Sequence, residues 1–113
     1  MHELAITQGV VEAVTERTGR APVTSVRLRV GRLSGVVPDA MRFCFELVTA
    51  GTPLAGAALE IDQPEGRGRC RTCGRSFVLA DLILLCDCGS ADVEVLAGRE
   101  LAVASVVLAP DSR

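Results

Sequence analysis

Four of the five cysteines fall in one late stretch, Cys70 and Cys73 as C-x-x-C and Cys86 and Cys88 as C-x-C, each pair followed by a glycine, Gly74 and Gly89. A glycine there permits the tight turn that aims backbone N–H groups at thiolate sulfur. Four thiolates satisfy tetrahedral Zn²⁺, and a closed four-cysteine shell leaves no position for substrate, so the chemistry expected of the set is structural zinc. A module this small has little core of its own and would draw much of its folding energy from the metal. The second pair is one residue tighter than a standard knuckle. That leaves open a thiol redox reading for Cys86 and Cys88, since adjacent low-pKa thiols exchange readily. Arg67, Arg69, Arg71 and Arg75 flank the first pair and would partly offset the formal charge of a zinc tetrathiolate. Cys44 stands apart, in an apolar stretch where a small hydrophobe needs no chemistry.

A second cluster opens the chain as "MHELAIT", with its single histidine at position 2. The Met1 α-amine, the amide and imidazole nitrogens of His2 and the amide nitrogen of Glu3 can close consecutive chelate rings in one plane. Four in-plane nitrogens suit Ni²⁺ or Cu²⁺ and do not suit tetrahedral Zn²⁺. Methionine removal requires a small second residue, and histidine is large, so the Met1 amine is expected to persist. The competing reading is a solvated terminus, with Glu3 stabilising a helix through its macrodipole.

The elements that must carry these clusters follow from periodicity. From Glu3 to Thr18, Leu4, Val10, Val11 and Val14 recur at helical spacing, and Gly19 is a stop signal. "VTSVRLRVG" then alternates Val26, Leu28 and Val30 with Arg27 and Arg29, a strand with one buried face. Pro38 suits a first helical position. Met41, Cys44, Phe45, Leu47 and Val48 form an apolar stripe that Gly51 ends. "AALEIDQ" reads as a second strand with Leu59 and Ile61 on one face, closed by Pro64. The cysteine stretch follows, and its "RSFVLADLILL" segment could form a hairpin. After Gly98, "RELAVASVVLA" predicts a third, largely buried strand. The order predicts an α+β fold, a small three-stranded sheet packed by two helices with an inserted zinc-ribbon-like module. The corresponding domains are an α/β domain of residues 1–64 and 98–113 and a zinc-binding module of residues 65–97.

Composition narrows the function. The 113 residues are 49% hydrophobic but only 3% aromatic, so a modest core must be built from Val, Leu, Ile and Ala. A net charge of −2 with scattered arginines argues against a nucleic-acid partner. The longest apolar run is too short to span a bilayer, and Glu3 sits where a signal peptide needs basic charge. Without an export signal, a cytoplasmic location is expected, and metal binding is favoured over disulfides. No nucleophile elbow or phosphate loop is present, so the chain does not read as an enzyme.

"MHE", "RVGRLSGVVPDAMRFCFELVTAGT", "LEIDQPEGRGRCRTC" and "CDCGS" together resemble the HypA family of nickel metallochaperones for [NiFe]-hydrogenase maturation, over nearly the whole chain. The resemblance implies nickel delivery with the HypB GTPase to the hydrogenase large subunit, as a monomer or homodimer, with no membrane or nucleic acid involved. It makes His2 the essential nickel ligand, with Met1 and Glu3 contributing main-chain nitrogens and Asp39 matching a loop aspartate near nickel. It also makes Cys70, Cys73, Cys86 and Cys88 the zinc ligands. The chain departs from the family at C-x-C, where C-x-x-C is usual. The alternatives from other classes are a zinc-ribbon adaptor that only binds a protein partner, which leaves "MHE" unexplained, and the thiol redox protein.

Overall fold

A computed structural model describes residues 2–110. Helix α1 spans Glu3–Thr18, strand β1 Val23–Val30, helix α2 Pro38–Thr49 and strand β2 Ala58–Asp62. Strands β3 (Gly66–Cys70), β4 (Ser76–Leu79) and β5 (Val93–Ala97) follow, and β6 (Leu101–Leu108) completes the chain. One three-stranded sheet has the order β2-β1-β6, and a second has the order β4-β3-β5. The α+β expectation of two helices, a small sheet and a module inserted between two of its strands is therefore borne out.

The chain divides into two compact units. Of the described residues, the first comprises 2–28, 36–61 and 102–110, and the second 29–35 and 62–101. Strand β1 alternates as its sequence requires, with Val23, Val26, Leu28 and Val30 buried and Arg27 and Arg29 exposed. Met41 and Phe45 from α2, Val11 and Val14 from α1, Leu54 and Leu59 complete the core. Thr24 Oγ1 donates to the Val107 carbonyl, and Ala109 N donates to Pro22 O at 2.8 Å, tying the ends of β1 and β6 together.

Three expectations are corrected. The buried side of α1 is Glu3, Thr7, Val11 and Val14, while Leu4 is 49% exposed. Two polar residues thus hold the inward positions of its first two turns, Thr7 satisfied within the helix and Glu3 by the head of α2. Thr7 Oγ1 donates to the Glu3 carbonyl at 2.6 Å, and the Glu3 carboxylate accepts from Val37 N at 3.0 Å. In α2 the inward row is Met41, Phe45 and Thr49, four residues apart. Cys44 and Val48 are half-buried beside it, and Leu47 faces out. The third correction concerns β6, which is exposed along nearly all its length rather than largely buried. In a three-stranded sheet only the central strand β1 is flanked on both sides, so β-branched composition alone could not make β6 an interior strand.

In the second unit the hairpin lies earlier than "RSFVLADLILL". Strand β4 pairs antiparallel with β3, Gly66 opposite Leu79 and Arg69 opposite Ser76, so the turn between them is the first cysteine pair itself. The remaining "ADLILL" makes no strand. Asp81 Oδ1 instead accepts from Ile83 N at 2.9 Å, an Asx turn that competes with strand pairing. Strand β5 pairs with the other edge of β3 and brings Val93 opposite Cys70.

Candidate metal centre

Each cysteine pair sits where backbone bonding forces a tight loop. Cys70 ends β3, its N–H donates to Arg75 O at 2.8 Å, and its carbonyl accepts from Gly74 N at 2.8 Å. Cys86 repeats the pattern with every span one residue shorter. Its N–H donates to Ser90 O at 2.9 Å, and its carbonyl accepts from Gly89 N at 2.9 Å. Gly74 (φ 78°) and Gly89 (φ 91°) both occupy the left-handed region that closes the loop. C-x-C is thus a shortened knuckle with the same hydrogen-bond plan as C-x-x-C.

The two loops are braced against each other. Thr72 Oγ1 and Ser90 Oγ share a hydrogen bond of 2.8 Å. Arg71 N donates to Asp92 O at 2.9 Å, and the Arg71 guanidinium pairs with Asp92 at 2.8 Å and with Glu94 at 3.9 Å. Arg71 therefore has acidic partners on its own module. The brace was not legible beforehand, because the Ser90 and Asp92 side chains carry no spacing signal until the loops meet.

The result is a cluster in which one ligand atom from each of Cys70, Cys73, Cys86 and Cys88 lies within 4.8 Å of the others. Cys70 Sγ is 3.7 Å from Cys88 Sγ, and Cys73 Sγ is 3.6 Å from Cys86 Sγ. In a tetrahedron with metal–sulfur bonds of about 2.3 Å the edge is about 3.8 Å. The spacing thus fits Zn²⁺, and it is wider than a disulfide, whose sulfurs stand about 2.05 Å apart. Cys70 and Cys86 are buried against Val93, with Phe77 and Leu84 packed beside them, while Cys73 and Cys88 are exposed.

The environment separates the buried thiols. The Cys73 N–H, 3.5 Å from Cys70 Sγ, is the main cause that brings the Cys70 thiol down to about 6, helped by the Thr72 N–H and neighbouring sulfurs against the opposing effect of burial. At Cys86 the Cys88 N–H acts downward, but burial and the other three sulfurs outweigh it and push the thiol up to about 12. A site that concentrates potential negative charge in this way is completed by a cation, and would then hold all four sulfurs as thiolates.

At the other cluster, His2 is the N-cap of α1, exposed, with no side-chain capping bond. Its carbonyl accepts the first helical bond, from Ile6 N at 3.0 Å. Glu3 is buried at the first helical position, and its carboxylate meets Val37 N at the head of α2. Asp39 is exposed in the first turn of α2, two residues further on. Met1 lies outside the described residues. The Glu3 carboxylate contact was missed in the sequence, because an acidic residue in a first helical turn normally faces water.

The HypA family model, described as hydrogenase/urease nickel incorporation, metallochaperone, matches residues 1–108. The chain is similar to the hydrogenase maturation factor HypA of Geotalea uraniireducens, at 50% identity over 91% of this chain and 94% of the relative. It is also similar to that of Nostoc punctiforme, at 45% identity over 94% of each. Its fold is similar to the solution structure of the Ni metallochaperone HypA from Helicobacter pylori, with a TM-score of 0.67 at 20% identity over 98% of this chain and 100% of that one. Motifs, element order and four-cysteine centre agree with these matches, and the chain belongs to the HypA family of nickel-incorporation metallochaperones, maturation factors and not enzymes.

Proposed function

We propose that this chain binds Ni²⁺ through its first three residues and carries it to [NiFe]-hydrogenase in the cytoplasm. The partners are the HypB GTPase and the hydrogenase large subunit. The observation that carries the reading is the exposed His2 at the cap of α1. Because α1 begins at Glu3, the backbone N–H groups of its first turn have no partner in the helical ladder. Nickel can therefore replace the amide protons of His2 and Glu3 without breaking a helical bond. The His2 imidazole and the Met1 amine complete a planar set of four nitrogens. Asp39 is a further contact from the first turn of α2.

Cys70, Cys73, Cys86 and Cys88 take the structural role and hold Zn²⁺. In the division of labour, residues 1–64 and 98–113 handle nickel and residues 65–97 hold zinc. The sulfur spacing favours a metal over a thiol redox centre. The family favours nickel delivery over an adaptor that binds only protein.

The test is nickel titration of untagged protein, followed by its absorption spectrum and by hydrogenase maturation in cells. His2→Ala, and separately one residue added before Met1, should abolish the planar nickel spectrum and maturation while each chain keeps one zinc. Planar nickel in either variant would refute the site. Maturation without His2 would favour the adaptor.

A further inference from the structure

Glu3 is buried, at 6% exposure for the residue, although it stands at the very start of a helix. A carboxylate in that position usually stays hydrated, because the macrodipole rewards it there without burial. Here it accepts the N–H of Val37, the N-cap of α2, at 3.0 Å. It therefore sits where two helices begin, and its charge complements the positive ends of both. Val37 itself has an apolar side chain and offers no side-chain capping bond to α2. The exposed groups of interest flank the two partners, His2 immediately before Glu3 and Asp39 two positions beyond Val37. Thr7 adds a second hold on the same residue through its bond to the Glu3 carbonyl.

We infer that Glu3 is the positioning residue of the nickel site, acting through its side chain and separately from its backbone nitrogen. This rests on the nickel reading above. The Val37 bond fixes the first turn of α1 on the first turn of α2, so the His2 and Glu3 nitrogens are held in one orientation before nickel arrives. A chelate formed from a preorganised backbone avoids the ordering cost that a frayed helix end would meet on binding. The residue lends the metal no oxygen. It orders the nitrogens.

Three substitutions separate reach from charge. Glu3→Gln keeps the length and an acceptor oxygen for Val37 N but removes the charge. Glu3→Asp keeps the charge but is one methylene short of Val37. Glu3→Ala removes both. Since a hydrogen bond to a charged acceptor is stronger than one to a neutral oxygen, Gln should weaken nickel affinity by up to about tenfold, and Ala and Asp, which lose the bond itself, by roughly ten- to a hundredfold. The planar nickel band should lose intensity in Ala and Asp and persist in Gln, a signature that a loss of overall stability alone would not produce.

His2→Ala is measured alongside. If it binds nickel like the parent, the nickel reading itself fails. If it loses nickel while Glu3→Ala binds like the parent, only the positioning role fails. Asp binding at least as well as Gln also overturns it, because charge would then matter and reach would not. That comparison stands even if Glu3→Ala does not fold.

Discussion

Replacing Cys88 with serine tests whether the shortened knuckle supplies a true ligand. The sulfur edges of 3.7 and 3.6 Å lie close to the edge of about 3.8 Å required by a zinc tetrathiolate, so an ion should enter with little rearrangement. Structural zinc sites bind with apparent free energies of about 10–16 kcal/mol, which correspond to dissociation constants from tens of nanomolar down to picomolar. Shared evenly over four ligands, the loss of one sulfur removes about two to three decades of affinity. The assay is competition against a chromophoric chelator at fixed pH.

The same titration repeated with pH has a predictable slope. Cys70 is brought to about 6 and is already a thiolate at neutral pH, whereas Cys86 is pushed to about 12 and still holds its proton. Zinc must displace that proton, so affinity should rise at least tenfold for each pH unit between about 7 and 9 and fall toward acid. A Cys88→Ser protein with parental zinc affinity would remove Cys88 from the ligand set. An affinity flat from pH 7 to 9 would refute the assignment of a protonated Cys86.

Two further perturbations probe the scaffold. Gly98 has φ 111°, and a Cβ there would stand 2.6 Å from the Gly66 Cα and 3.0 Å from Leu33 Cδ1. Gly98→Ala should therefore lower stability by at least about 2 kcal/mol in chemical denaturation, through backbone strain and loss of the Leu33 N to Gly98 O bond. An unchanged midpoint would show that the second unit is held some other way. Met41 is fully buried in α2, so Met41→Ala should cost about 2–5 kcal/mol in the same assay. Zinc affinity should be unchanged, and a parallel loss of zinc would show that the cysteine centre depends on Met41.

What the sequence made legible follows periodicity and ligand spacing. Helix α1 and strand β1 were bounded closely, because Gly19 and the alternation from Val26 to Val30 are local signals. The four cysteines were legible as one centre for the same reason. The exposure of β6 was not, since its composition reads identically in a central strand and on an edge, and only the sheet order β2-β1-β6 distinguishes them. Nor was the burial of Glu3. Its partner is the backbone N–H of Val37, and a backbone donor leaves no mark in residue type. Whether the tighter C-x-C pair forms a knuckle was not legible in the sequence either. The answer lies in bonds from Cys86 to Ser90 and Gly89 that rebuild the knuckle one residue shorter.

The most direct test of the account is X-ray absorption at the nickel and zinc edges on untagged protein carrying both metals. The account predicts a planar shell of four nitrogens around nickel and four sulfurs at about 2.3 Å around zinc. A nickel shell that is six-coordinate and rich in oxygen, or that contains sulfur from the cysteine cluster, would contradict it.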